Sequence, residues 1–343
     1  MAIQAEKLAG LLREDGLQVE TVRTNPLDSG NGRLAATIPG VRTVFNLAHF
    51  MLNLRKALKQ CEVVYFFSGF VNFFFWVTYP ALLLIKLYRK PVILSARGGD
   101  ARRFFMKYKK LVFPVLRKVD LITTPSGFLQ NVFKETLGLE PTVVPNIADI
   151  KQFEFILRKK FRPRLLCTRN LEIIYGVDCV IRAFQFVAEK YPDAHLGIAG
   201  EGSQRRYLEQ LAHDLCISDR ITFYGQLGHS GIQKLYHKYD IYVNASQVDN
   251  QPGVVLEAFA SGLPMVSTNA GGIPYMVENE KTGLLSSVGD HEALAQNVLR
   301  VIQEPGLGEA LAQAGLSETD KYTWEYVRPL MSEVFEEVGR SRG

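Results

Sequence analysis

This chain is poor in cysteine, and what it has is not arranged for chemistry. Cys61, Cys167, Cys179 and Cys216 fall singly along 343 residues, with no Cys-x-x-Cys spacing. That excludes a zinc ribbon and a disulfide framework, and it predicts reduced core thiols in a cytoplasmic protein. No Asp-x-Asp triplet occurs, so no paired-carboxylate site for a divalent metal is expected. The six histidines offer no evident catalytic base. His49 lies in an apolar helical run, His213 and His237 on polar helix faces, and His229 at a helix start. A Gly-x-Gly-x-x-Gly fingerprint is missing too: Gly200-Glu201-Gly202 is followed by Ser-Gln-Arg, which weakens a nicotinamide reading. Residues 1–15 read as a polar amphipathic helix, not a signal peptide, and no low-complexity segment occurs.

What is present is material for two α/β domains with full cores. The net charge of +5 conceals an asymmetry: residues 1–150 carry 20 basic and 11 acidic side chains, residues 151–343 carry 20 and 24. The excess concentrates in residues 86–118, where eleven basic residues meet Asp100 alone. Such a run suits a solvated face, an anionic membrane surface or an anionic substrate. Residues 63–87 are nearly uncharged for 25 positions, the length of a membrane span. Ser68-Gly69, Asn72, Thr78 and Pro80 interrupt the run, so strand, loop and helix are predicted there. Phe104, Phe105, Tyr108, Leu111, Val112, Val115 and Leu116 then recur at helical spacing between basic flanks. This stripe faces either a core or, as a basic amphipathic patch, anionic lipid; Pro114 should kink or end its helix.

Helix and strand alternate along the whole chain, which predicts parallel, doubly wound sheets. In the first half, helices over 4–14, 41–59 and 73–88 alternate with strands over 18–23, 62–67, 92–96, 121–124 and 142–144. In the second half, strands are expected at 164–168, 195–199, 221–224, 241–244, 265–268 and 283–286. Helices lie near 178–190, 203–215, 230–238, 254–261 and 290–303, and a last one spans 324–338.

Residues 249–274 read DNQPGVVLEAFASGLPMVSTNAGGIP and carry the most chemistry. Pro252-Gly253 suits a helix start, with Gly262 as its stop and a buried strand after it. A glycine there leaves the backbone N–H groups of Gly253 and Val254 open to a phosphate at the positive end of the dipole. Glu257 falls about one turn into the helix, in reach of a sugar diol. Asp249 precedes it by eight positions. The segment points to nucleotide-sugar chemistry.

The same segment resembles the donor-binding core of retaining glycosyltransferases of family 4, the glycosyl transferases group 1, which have the GT-B fold. In that pattern two Glu residues flank seven others, and Asp249 and Glu257 stand in their places. Gly262-Leu263-Pro264 and Gly271-Gly272-Ile273-Pro274 match as they stand. The resemblance implies two Rossmann-like domains facing a central cleft: 1–147 on the acceptor side, a linker at 148–162 and a donor domain at 163–322. Residues 323–343 would form a helix crossing back to the first domain. It further implies Glu257 on donor hydroxyls, Asp249 at the transferred sugar, and Arg169 with Gly253 and Val254 on the diphosphate. Tyr175 stands where the family has a Lys, at a cost of roughly 1.5–3 kcal/mol in donor binding for one lost charge-assisted contact. Gly200, Glu201, Gly202 and Leu227 belong to turns that meet the nucleotide.

In the first half, Arg97-Gly98-Gly99-Asp100 falls where many relatives place a His near the transferring sugar. Arg97 does not deprotonate and so cannot be a base; its expected role is to bind phosphate or an anionic acceptor. Relatives also open with a strand and glycine-rich loop, whereas Met1 already lies at the start of the first helix. The chain therefore reads as lacking that strand, or as starting downstream of it. The implied activity is retaining transfer from a UDP- or GDP-sugar to a glycan or lipid-linked acceptor, without metal or other cofactor. Nucleic acid is not an expected partner, and the 86–118 region could touch the inner face of an anionic membrane. Two alternatives remain open: a non-catalytic relative that binds nucleotide or sugar, and a nucleotide-sugar epimerase, which would need carboxylates not located here.

Overall fold

The computed structural model describes residues 1–25, 39–98 and 100–340. The first half contains helices α1 (Ala2–Glu14) and α2 (Pro39–Ala57), strand β1 (Val64–Ser68) and helix α3 (Tyr79–Leu87). Strand β2 (Val92–Ala96), helix α4 (Ala101–Leu116), strand β3 (Leu121–Thr124), helix α5 (Gly127–Leu137) and strand β4 (Thr142–Val143) follow. The second half opens with β5 (Arg164–Thr168), α6 (Val177–Lys190), β6 (His195–Ala199), α7 (Arg205–Asp214) and β7 (Ile221–Gly225). It continues with α8 (His229–Lys238), β8 (Ile241–Asn244), α9 (Gly253–Ala260), β9 (Met265–Thr268) and β10 (Gly283–Ser286). Helices α10 (His291–Gln303), α11 (Leu307–Glu318) and α12 (Trp324–Arg340) complete the chain.

Two compact units result: Met1–Ile147 together with Trp324–Gly343, and Ala148–Thr323. In the first, β1 to β4 form a parallel sheet in sequence order. Every residue of β2 is buried, as parallel strands covered on both faces require. One face carries α2 to α5 over a core of Phe50, Phe74, Phe104, Phe105 and Phe133. The other face packs Leu8 and Leu12 of α1 with Val327, Met331 and Val334 of α12. Helix α5, which the periodicity alone did not single out, is framed by Ser126, whose hydroxyl accepts from Leu129 N, and by left-handed Gly138.

Two expectations for this unit need correction, the strand over 18–23 and a break at Pro114, while residues 63–87 form the expected strand, loop and helix. The strand expected over 18–23 is not formed. No described strand pairs with β1 on its free side, and a lone strand has no ladder to join. Instead Val19 O accepts from Arg13 Nε and Nη2 at 3.0 and 2.8 Å. The stripe on α4 faces the core: Phe104, Phe105, Val112 and Leu116 are buried, while Leu111 is exposed. Its helix breaks at Tyr108 (φ −119°, ψ 18°) and carries Pro114 without a break there. Residues 63–87 divide into β1, a loop, a π-helical turn at Phe74–Thr78 and α3. Among the described residues no helix is long and apolar enough to cross a membrane.

The second unit has a six-stranded parallel sheet in the order β10-β9-β8-β5-β6-β7. Residues 148–162, expected as a polar linker, are anchored in it by a buried arginine. Arg158 donates to Ser261 O, Gly262 O and Tyr236 O and pairs with Asp240 at 3.2 Å. The two parallel-sheet units are those of the GT-B fold.

Candidate functional site

The strand order of the second unit fixes where a ligand can sit. Order reverses between β5 and β8, and the crevice of such a sheet opens at the carboxyl ends of those strands. Arg169 leaves β5 at that point, and Asp249 lies in the loop between β8 and α9. Arg169 Nη2 donates to Asp249 Oδ2, with both side chains largely buried. The guanidinium also stacks on Tyr175, 4.0 Å from the ring centroid. Its Nε is buried without a hydrogen-bond partner among the described residues. Three residues that the sequence assigned to phosphate, sugar and a lost lysine thus form one cluster.

Glu257 lies one turn into α9, and its Oε2 accepts from the Tyr236 hydroxyl at 2.9 Å. The other oxygen turns back toward the helix start, where a Cβ added to Gly253 would stand 3.9 Å from Oε1. Helix α9 begins after Pro252, its N-cap, with no side-chain cap, so its first-turn N–H groups present the positive end of the dipole. Val254 is half-buried and, like Leu227, packs on the core beneath. An apolar first turn and a neutral helix start leave the amide groups as the polar feature of this tip.

A polar chain that sequence reasoning missed supports Glu257 from below. Tyr236 OH lies 3.0 Å from Thr168 Oγ1, which lies 2.9 Å from Tyr242 OH. The two tyrosine rings stack at 5.7 Å with 5° between planes. Burial, more than any neighbouring charge, pushes both phenols above their ordinary range, so they stay protonated and able to donate. The available signal was chemical: hydroxyls inside the apolar run Ile241-Tyr242-Val243 must find partners.

Glycines bring the loops together. Gly200 has φ +144°, and a Cβ there would stand 2.1 Å from Arg169 O. Gly271 has φ +52° with its Cβ position 2.1 Å from Asp249 O, and Gly272 N donates to that oxygen at 2.8 Å. A Cβ on Gly202 would stand 2.4 Å from Leu171 O. Glu201 contributes backbone, its carbonyl accepting from Leu171 N at 3.0 Å, while its carboxylate faces Arg205 at 3.4 Å. Glu172, another residue the sequence did not flag, accepts from Ser203 Oγ and N at 2.6 and 2.9 Å. Those bonds hold its carboxyl below the usual range.

In the first unit, Arg97 follows β2 and turns inward. Its Nε donates to Ser95 Oγ at 3.1 Å, and its guanidinium carbon lies 4.7 Å from the Phe67 ring centroid. Nη1 is buried without a partner among the described residues, and burial holds the guanidinium pKa below its ordinary value. It lines a cavity of about 10 Å³ with Gln4, Tyr65 and Ile147, room for one water. Gly98 is left-handed (φ +139°), Asp100 is exposed, and Gly99 lies outside the described residues. Among the described residues no three His, Cys, Asp or Glu side chains cluster as a metal site.

Residues 149–317 match the family of glycosyl transferases group 1. The chain is 28% identical over 276 residues to a glycogen synthase of Mycobacterium tuberculosis, covering 76% of this chain and 66% of that one. It is 26% identical over 245 residues to a GDP-mannose-dependent monoacylated alpha-(1-6)-phosphatidylinositol monomannoside mannosyltransferase of Corynebacterium glutamicum, covering 65% and 64%. The chain thus spans slightly under two thirds of the length of these relatives. Among solved structures, sucrose-phosphate synthase from Thermosynechococcus elongatus superposes with a TM-score of 0.78 at 17% identity, over 99% of this chain and 93% of that one. That likeness shows the fold.

Proposed function

We propose, from the premise that residues 149–317 form a glycosyl transferases group 1 domain on a GT-B scaffold, that this chain transfers a hexose from a nucleotide-diphosphate sugar. The observation that carries the reading is the grouping of Arg169, Asp249 and Tyr175 at the β5–β8 switch point, with Glu257 turned to the uncapped tip of α9. In this reading the tip amides of Gly253 and Val254 and the Arg169 guanidinium take the diphosphate as charge builds on the leaving group. Donor binding exchanges part of the Arg169–Asp249 pairing for phosphate, freeing Asp249 for a sugar hydroxyl. Glu257, held by Tyr236, takes the ribose or sugar diol. The Gly200-Glu201-Gly202 and Leu227 turns line the nucleotide.

The donor is read as UDP- or GDP-linked, and transfer as retaining and metal-independent, with no protein nucleophile required. The acceptor is read as a glycan or lipid-linked sugar. Arg97, with Gly98, Gly99 and Asp100, is assigned to an anionic acceptor group, a role that suits a desolvated guanidinium. The basic stretch 86–118 is assigned to the cytoplasmic face of an anionic membrane. One observation favours a non-catalytic alternative: Tyr175 fills a lysine's place and stacks on Arg169. The deciding experiment incubates the chain with a panel of UDP- and GDP-sugars and mixed acceptors, with mass-spectrometric product detection and calorimetry of UDP and GDP. Product that disappears in Asp249→Ala supports transfer. Nucleotide binding without any product supports the alternative, and no binding by a folded chain at millimolar nucleotide defeats both.

A further inference from the structure

The apolar stripe that faces solvent is not on α4 but on the helix before it. Trp76, Tyr79, Leu83 and Leu87 recur three and four residues apart along the π-turn and α3, and all four are exposed. Trp76, Leu83 and Leu87 keep 61%, 57% and 76% of their surface. Opposite them on the same helix, Phe74, Ala81, Leu82 and Ile85 fill the core. The helix is therefore apolar on both sides, which a helix of one buried face does not need. No charged residue stands between Glu62 and Lys86.

Two neighbouring helices frame this stripe. Arg55 of α2 donates to the Tyr88 hydroxyl just after α3 at 3.0 Å, and α2 exposes Phe45 and Leu52 on its outer side. On the other flank, Phe75 meets Tyr108 of α4 edge-on at 5.1 Å. There α4 exposes Met106 and Leu111 among Arg103, Lys107, Lys109 and Lys110, none with an acidic partner among the described residues. Of the acids nearby, Asp120 pairs with Lys86 and Glu135 with Arg102, while Asp100 stands exposed at the start of α4. Residues 41–118 hold fifteen basic and two acidic side chains.

We infer that the outer face of α2, α3 and α4 docks on an anionic lipid surface, inserting Trp76, Leu83 and Leu87 shallowly while the α4 lysines engage lipid headgroups. Both halves of the surface are needed for that assignment. A dry stripe of Trp and Leu wants hydrocarbon, and a belt of unmatched cations wants anions; an anionic bilayer interface offers both at one depth. A second copy of this chain fits worse, because two such faces would oppose their basic belts. Nucleic acid fits worse as well, since a phosphate backbone would leave the stripe in water. The inference rests on the assignment of residues 86–118 to an anionic membrane and deepens it by naming the surface that inserts, but it does not depend on the transfer reaction.

The test uses the whole chain, without nucleotide, and sedimentation with phosphatidylcholine vesicles with or without about 30 mol % phosphatidylglycerol. Binding is expected to the anionic vesicles, weaker at high salt, and lowered at least tenfold in Trp76→Ser/Leu83→Ser/Leu87→Ser. Lys107→Glu/Lys110→Glu should remove the preference for phosphatidylglycerol. These side chains are exposed, so circular dichroism should be unchanged in both variants. In a Trp324→Phe background, emission of Trp76 should shift to the blue on adding anionic vesicles. A wild-type chain that stays in the supernatant, or stripe variants that sediment as well as wild type, overturns the inference. So does a lipid-free dimer that the stripe substitutions dissolve.

Discussion

At the scale of single residues, the site rests on charge-assisted bonds with few substitutes. Arg169 is buried, paired and stacked at once, so shortening it releases Asp249 and, in the proposed reading, removes a phosphate contact. Arg169→Ala should weaken UDP or GDP binding by about 1.5–3 kcal/mol, roughly ten- to 150-fold, in calorimetry. Tyr236→Phe removes only a hydroxyl, yet that hydroxyl orients Glu257. It should cost about 0.5–1.5 kcal/mol of stability in urea unfolding, and a comparable factor in donor affinity. A gain in donor turnover at Tyr175→Lys would show that a cation serves better than the stacked ring at this position. Buried thiols should be silent: burial pushes Cys167 to about 12 and Cys179 to about 11, so thiol reagents should label exposed Cys216 first.

At the scale of elements, loops meet where glycine permits, and their geometry is predictable from the contact made. A Cβ on Gly272 would stand 1.8 Å from Asn250 O, so Gly272→Ala should destabilise the chain by at least about 2 kcal/mol in urea unfolding. Gly10, inside α1 with open space around it, should show the opposite sign: Gly10→Ala stabilises by about 0.5–1 kcal/mol. Most of this layer was legible in the sequence because period and punctuation agree. The Ile241-Tyr-Val-Asn strand, the Gly253 helix start and the Gly262 stop all fall where pattern puts them. What was not legible depended on partners distant in sequence. Residues 18–23 alternate like a strand but have no ladder to join, and the α4 stripe could not reveal whether core or solvent lay opposite. The pairing of Arg169 with Asp249 links positions 80 apart, and no local pattern encodes it. Tyr242 was hidden by the apolar run around it, and Tyr236 by the polar helix sequence that surrounds it.

At the scale of the whole molecule, the chain folds as two compact units. Helix α12 is the last element in sequence yet belongs to the first unit, burying Val327, Met331, Val334 and Val338 there. Truncation after residue 323 should lower the first thermal transition and leave the second unit's transition nearly in place. The buried tyrosines set the alkaline limit. Their folded pKa values lie above the unfolded value of about 10, so folding retains protons that the unfolded chain releases. Their contribution is therefore complete below about pH 10 and is lost as pH rises through the raised folded values, and the urea midpoint should fall above that point.

In the proposed reading a nucleotide diphosphate sits on the tip of α9 beside Arg169. Hydrogen exchange of the whole chain with and without UDP or GDP tests it most directly. Slowed exchange is expected at residues 253–256 and 169–176, lost in an Asp249→Ala/Glu257→Ala chain that remains folded. Protection confined to other segments, or none at millimolar nucleotide, would contradict it.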